Sequence, residues 1–186
     1  DHAIELMDAG HYDEALFDLD RALELKPNHD DVWRMRASAL YHLGHLEEAT
    51  ESCQKAIELR PTDQNAWLLL GLIRGQAEDL DGELRSYDNV LRLDPGNRSA
   101  LLNRGTALYR SKKLDQALKS FDQLIKANNE DAMAWNNRGI VLKTMGRRRD
   151  AMDAFTRAAA RAVAGDADVA AAAAALWPIS KPRIGR

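Results

Sequence analysis

Cysteine is nearly absent from this chain: Cys53 is the only one in 186 residues. A lone thiol excludes an intramolecular disulfide framework and any cysteine-rich zinc module. It fits a reducing compartment, and a cytoplasmic protein is the expectation. No apolar run approaches the ~20 residues that span a bilayer, so no membrane partner is expected. Nothing basic-then-apolar follows Asp1, so no signal peptide is visible, and the chain reads as a piece of something longer. Glycine-rich phosphate loops, nucleophile elbows and metalloprotease helices are missing. The histidines are His2, His11, His29, His42 and His45. His42 and His45 straddle Gly44, and no third ligand of clear spacing joins them, so neither a metal nor a cofactor is expected. Cys53 reads as a small buried hydrophobe rather than a nucleophile. No residue can be nominated as catalytic, and a non-enzyme is expected.

What the chain does have is a period. Pro27, Pro61 and Pro95 are 34 residues apart, and Trp33, Trp67 and Trp135 fall on the same spacing with Leu101 in the remaining slot. Ala15, Ala49, Ala117 and Ala151 form another column, broken by Glu83. Leu19, Cys53, Tyr87, Phe121 and Phe155 form a bulky one, and Ala3, Ala37, Gly71, Gly105 and Gly139 a small one. Columns sharing one period mean a repeat architecture. The division is a truncated first repeat, 1–29, then 30–63, 64–97, 98–131 and 132–165.

Each repeat reads as two helices. In 30–63, Asp30 and Asp31 suit the positive end of a helix dipole, and Val32, Trp33, Arg36, Ala37 and Leu40 follow at helical spacing. Gly44 accepts the left-handed conformation that ends a helix. A second amphipathic run passes through Leu46, Ala49, Cys53, Ala56 and Ile57 until Pro61, which cannot donate the next helical hydrogen bond. Small residues in both helices let them approach, and the bulky columns fill the space between neighbours.

Trp33, Ala37, Gly44, Ala49, Ala56 and Pro61, together with Trp135, Gly139, Gly146, Ala151, Phe155 and Ala158, resemble the tetratricopeptide repeat family. The resemblance runs from Asp1 to about Gly165. It implies an all-α, right-handed superhelical solenoid of antiparallel helix pairs that binds protein or peptide partners, with the first helix of each pair lining a concave groove. Groove positions are then Arg34 and Met35, Leu68, Leu69 and Leu72, Asn103 and Tyr109, and Asn136, Asn137, Ile140 and Lys143. Asn103 and Asn137 share one slot a repeat apart. An amide offers both a donor and an acceptor to an extended backbone, while the leucines would read apolar side chains. The alternative is that the amides are solvated and the leucines are inter-repeat core. Some members of the family clamp a terminal carboxylate with lysines, asparagines and an arginine. Here those slots hold Leu68, Leu72, Asn103, Met133 and Asn137, so that mode is not expected. Trp33, Trp67 and Trp135 are expected to be structural.

The repeat 64–97 departs from the pattern. Arg74 stands where Leu40, Leu108 and Leu142 stand elsewhere, and Glu83 breaks the alanine column; a salt bridge between them is expected, with a loosely closed hairpin as the alternative. Glu78 replaces the turn glycine. Residues 1–131 carry 16 Lys+Arg against 25 Asp+Glu, and 132–186 carry 10 against 4. Arg147, Arg148 and Arg149 are turn arginines without aromatic companions, which argues against nucleic acid. Residues 166–177 read as a capping helix and 178–186 as a basic, disordered tail. The sequence therefore points to a non-catalytic scaffold gripping an extended peptide. The alternative is a structural array self-associating through its ends and charged edges.

Overall fold

A computed structural model describes residues 2–165. The expected capping helix over 166–177 and the tail over 178–186 lie outside the described residues. Ten helices follow one another, with no strand among the described residues: α1 His2–Asp8, α2 Tyr12–Leu25, α3 Asp30–Leu43, α4 Leu46–Leu59, α5 Gln64–Gln76, α6 Leu80–Leu93, α7 Arg98–Arg110, α8 Leu114–Ala127, α9 Ala132–Thr144 and α10 Arg148–Gly165. They form two units, one ending at Ala107 and one beginning at Leu108.

The starts and turns follow from local chemistry. Asp63 accepts from the backbone N–H of Asn65 and Ala66, and Asp79 from that of Gly82, so both cap helices with side-chain oxygens. One column of turn residues, 34 apart, takes a positive φ throughout: Gly10, Gly44, Glu78, Lys112 and Gly146, at 79°, 82°, 59°, 61° and 78°. Glycine adopts that region freely, whereas Glu78 and Lys112 meet their own Cβ there.

In the first unit, α3, α4 and α5 enclose Ala37, Leu40, Ala49, Cys53, Ala56, Leu70 and Ile73, with Trp33, Leu46, Ile57 and Trp67 packed around them. Size compensation governs the hairpin contacts. In α5/α6, a Cβ on Gly71 would lie 2.4 Å from the Tyr87 ring. In the second unit, a Cβ on Gly139 would lie 2.6 Å from the Phe155 ring of α10. Only glycine admits an aromatic ring so close to the backbone. At the matching positions of α3/α4 the occupants are Ala37 and Cys53, both fully buried.

Successive hairpins are also tied by ion pairs. Arg36 Nε lies 2.7 Å from Asp20, and Arg104 Nε is 2.7 Å from Asp88. In the second unit, Arg138 Nε is 2.6 Å from Asp122. At the corresponding place between α4 and α5 the residues are an exposed Gln54 and a buried Leu70, so this column carries no ion pair there.

The α5/α6 hairpin accommodates both of its odd charges. Arg74 Nη1 donates to the Gly82 carbonyl at 3.2 Å and to Ser86 Oγ at 3.4 Å, and its Nε lies 3.9 Å from Asp79. Glu83 is buried, and its carboxylate occupies the space a Cβ on Gly75 would need, 2.7 Å away. A Cβ on Gly82 would in turn meet Arg74 Cδ at 2.6 Å. Each charged chain thus lies over a glycine of the opposite helix.

Candidate functional site

Tryptophans close the loops rather than offering themselves to a ligand. Trp33 Nε1 donates to the Pro27 carbonyl at 2.7 Å, Trp67 Nε1 to Pro61 at 2.9 Å, and Trp135 Nε1 to the Asn129 carbonyl at 2.9 Å. Each spans six residues, so one indole pins the loop that enters its own helix. Around Trp135 the guanidinium carbons of Arg138, Arg157 and Arg161 sit 5.7, 5.0 and 5.4 Å from the ring centroid, within cation–π range.

The first-helix positions of the first unit differ among themselves. Arg34 Nη2 bonds Asp31 at 3.1 Å, and its Nε lies 3.2 Å from Asp63, the buried cap of α5. Arg60 completes the network on Asp31 at 2.9 Å and on Asp30. Hydrogen bonds from Arg34 and then Arg60 hold the Asp31 carboxyl below its ordinary value. His29, Asp30 and Asp31 bring ligand-type atoms within 4.8 Å of one another, but both carboxylates already face guanidinium groups. Beside Arg34, Met35, Val32, Ile4, Leu19 and Ala22 line a mostly apolar cavity of ≈ 620 Å³ between α1, α2 and α3.

Leu68 and Leu69 are half-buried, Leu68 against the Tyr87, Val90 and Ala100 cluster and Leu69 against the α3–α5 core. Leu72 is 40% exposed. Of the three leucines it is the one freest to meet a ligand. Asn103 is half-buried, and its side chain makes no hydrogen bond among the described residues.

In the second unit, Met133, Asn136, Asn137, Ile140 and Lys143 form a stripe along α9 at helical spacing. Met133 is 38% exposed and Lys143 exposed, with Asn137 and Ile140 half-buried between them. Asn137 also lacks a hydrogen-bond partner among the described residues. Asn136 Oδ1 is enclosed without a donor, an arrangement that costs about 1–3 kcal/mol. Tyr109 is fixed by its hydroxyl 3.3 Å from Thr144 Oγ1 and by Lys112 Nζ over its ring.

The Cys53 thiol lies 3.0 Å from the Ala66 carbonyl, and burial pushes its pKa up to about 12, far from a reactive thiolate. His42 stacks on Tyr12 with ring centroids 4.4 Å apart. Residue types alone did not reveal the Arg34–Asp63 link or the apolar cavity, because both depend on helices brought together by the fold.

The family model for the tetratricopeptide repeat matches residues 1–64, 68–132 and 102–167. The chain belongs to the tetratricopeptide repeat family. Its fold is accordingly an all-α solenoid of antiparallel helix pairs. Among solved structures, MamA is similar with a TM-score of 0.80 at 19% identity, covering 87% of this chain and 94% of that one. YrrB, described as a tetratricopeptide-repeat protein with an unusual peptide-binding site, aligns with a TM-score of 0.72 at 21% identity, over 92% of this chain and 87% of its own. TTC0263, a thermophilic tetratricopeptide-repeat protein of Thermus thermophilus, gives 0.69 at 20% identity, over 93% and 94%. No curated protein matches the sequence significantly. These likenesses establish the repeat fold, and proteins of the family are scaffolds that bind other proteins. No described helix is long and apolar enough to cross a membrane.

Proposed function

We propose that this tetratricopeptide-repeat protein is a non-catalytic scaffold that grips an extended segment of a partner protein on its first-helix faces. The observation that carries the reading is an unengaged amide in each unit, Asn103 in the first and Asn137 in the second. They occupy one slot of successive repeats, and neither side chain is engaged by another described residue. Such amides can take the N–H and C=O of a backbone whatever its side chains. In the first unit Leu72 and the cavity beside Met35 would receive apolar side chains; in the second, Met133, Ile140 and Lys143 flank Asn137. YrrB, with its unusual peptide-binding site, supports the same use of the fold. With a single buried thiol and no candidate nucleophile, we infer a cytoplasmic setting and no catalysis.

The test is selection of binders from a random-peptide library, followed by affinity measurement on the native protein and on an Asn103→Ala, Asn137→Ala variant. Both positions lie on helix surfaces, so circular dichroism should show unchanged helicity. Selected peptides should bind the variant at least about tenfold more weakly, as expected when hydrogen bonds to a backbone are deleted. Equal binding by both proteins, or no peptide selected at all, would overturn the proposal.

A further inference from the structure

The first and last described hairpins carry opposite charge in equal measure. Residues 2–29 hold seven acids and two bases, whereas 132–165 hold seven bases and two acids. Apolar exposure accompanies the charge at both ends. Phe17 is 65% exposed, in a column that holds Glu51, Arg85, Lys119 and Asp153 in the later repeats. Nothing in the repeat pattern asks for an apolar residue there. Phe17 and Leu6, with His2, Asp13, Glu14 and Asp18, line an open groove of ≈ 450 Å³ on α1 and α2. On α10, Met152 is 49% exposed beside the exposed Arg148 and Arg149. Met152 falls in the column of Leu16 and Leu118, which pack into the clusters built around the following hairpins. Met152, unlike those two leucines, packs into no described cluster.

We propose that a second copy of this chain joins these two patches. Arg148, Arg149 and Met152 on α10 of one copy dock against Asp13, Glu14 and Phe17 on α2 of the next. The two patches are complementary in charge, and each places an apolar centre beside its ionic groups, the arrangement a specific interface needs. Because the joined patches differ, the contact is heterologous, and a pair of copies keeps one unfilled patch of each kind. Association then proceeds beyond the dimer as concentration rises, and it weakens with salt because the charged groups are solvent-exposed.

Sedimentation velocity on the full chain, over a range of concentrations and salt, reads this directly. The expected result is a mean mass that climbs with concentration at low salt and falls back as salt is added. Arg148→Glu with Arg149→Glu should weaken association about tenfold, as should Asp13→Arg with Glu14→Arg. Mixed in equal amounts, the two reversed proteins should associate again, since the acidic α10 of one then meets the basic α2 of the other. Phe17→Ser, at an exposed site that folding does not depend on, should weaken association with every charge in place. A chain that stays monomeric at all concentrations in low salt overturns the proposal. So does association indifferent to these changes, or a mixture of folded reversed proteins that fails to recover.

Discussion

Tyr87 lies flat enough against α5 that its ring carbon Cε1 would stand 2.4 Å from a Cβ on Gly71. The small column and the aromatic column are therefore one steric unit: the hydrogen on Gly71 is what admits the ring. Gly71→Ala should destabilise the fold by about 1–3 kcal/mol through overpacking. Adding Tyr87→Cys, which copies the Ala37 and Cys53 occupants of the previous repeat, should recover part of that loss. Urea denaturation of the three proteins reads the outcome. A Gly71→Ala protein as stable as the parent would show that the helices separate freely at this contact.

Arg74 and Glu83 replace a leucine and an alanine inside a hairpin. If they form the ion pair proposed from the sequence, removing Arg74 takes from the buried Glu83 its cation, at a cost of about 3–5 kcal/mol, whereas removing Glu83 leaves Arg74 its bonds to Gly82 and Ser86 and should cost less. Arg74→Leu combined with Glu83→Ala restores the residue types of the other repeats and should cost much less than the two changes summed. A double-mutant cycle by denaturant unfolding measures the coupling. Strict additivity would remove the pair from the account and leave Arg74 serving Asp79, Gly82 and Ser86 alone.

Glu78 and Lys112 occupy the left-handed slot that glycine takes in the other turns. A side chain there costs roughly 1–2 kcal/mol, and the added freedom of glycine in the unfolded chain returns part of it. Glu78→Gly and Lys112→Gly should each raise the melting temperature, and their effects should add. A fall in melting temperature on either change would mean that the side chain holds its turn by contacts outweighing the backbone strain.

Asp31 is held below its ordinary pKa by Arg34 and Arg60. A carboxylate whose folded pKa is depressed contributes stability above its unfolded value near 3.8, and that contribution disappears as pH falls through the folded value. Carbon-detected NMR titration should place Asp31 below its ordinary value of 3.8, and high salt should narrow the difference because the site is partly open to solvent. Asp31→Asn should flatten the acid limb of the stability curve. An Asp31 that titrates at its ordinary value would contradict the ion network.

The repeat was legible in the sequence because its constraints are one-dimensional. A turn that needs a left-handed residue and a contact that needs a hydrogen atom both fall at fixed intervals, and Gly44, Gly71 and Gly139 mark them. The candidate site was legible only by column. Successive residues of a helix are turned by about 100°, so Leu68, Leu69 and Leu72 are alike in type yet differ in exposure. The Arg34–Asp63 pair was hidden because the two residues lie 29 positions apart, Asp63 in the loop before another helix. The Arg36–Asp20, Arg104–Asp88 and Arg138–Asp122 ties were present as two aligned columns, and Gln54 with Leu70 shows both charges replaced together.

Those ties, like the glycine–aromatic contacts, join residues only 16 positions apart. Closing a segment that short requires little chain entropy, and proteins dominated by such contacts fold fast. The order in which hairpins form is then set by the strength of each neighbouring junction rather than by any distant pairing. The junction at Gln54 and Leu70 lacks the ion pair of that column and relies on Arg34 with Asp63 instead, so it is the natural place for cooperativity to change hands, and whole 34-residue modules could be exchanged on either side of it without rewriting the rest.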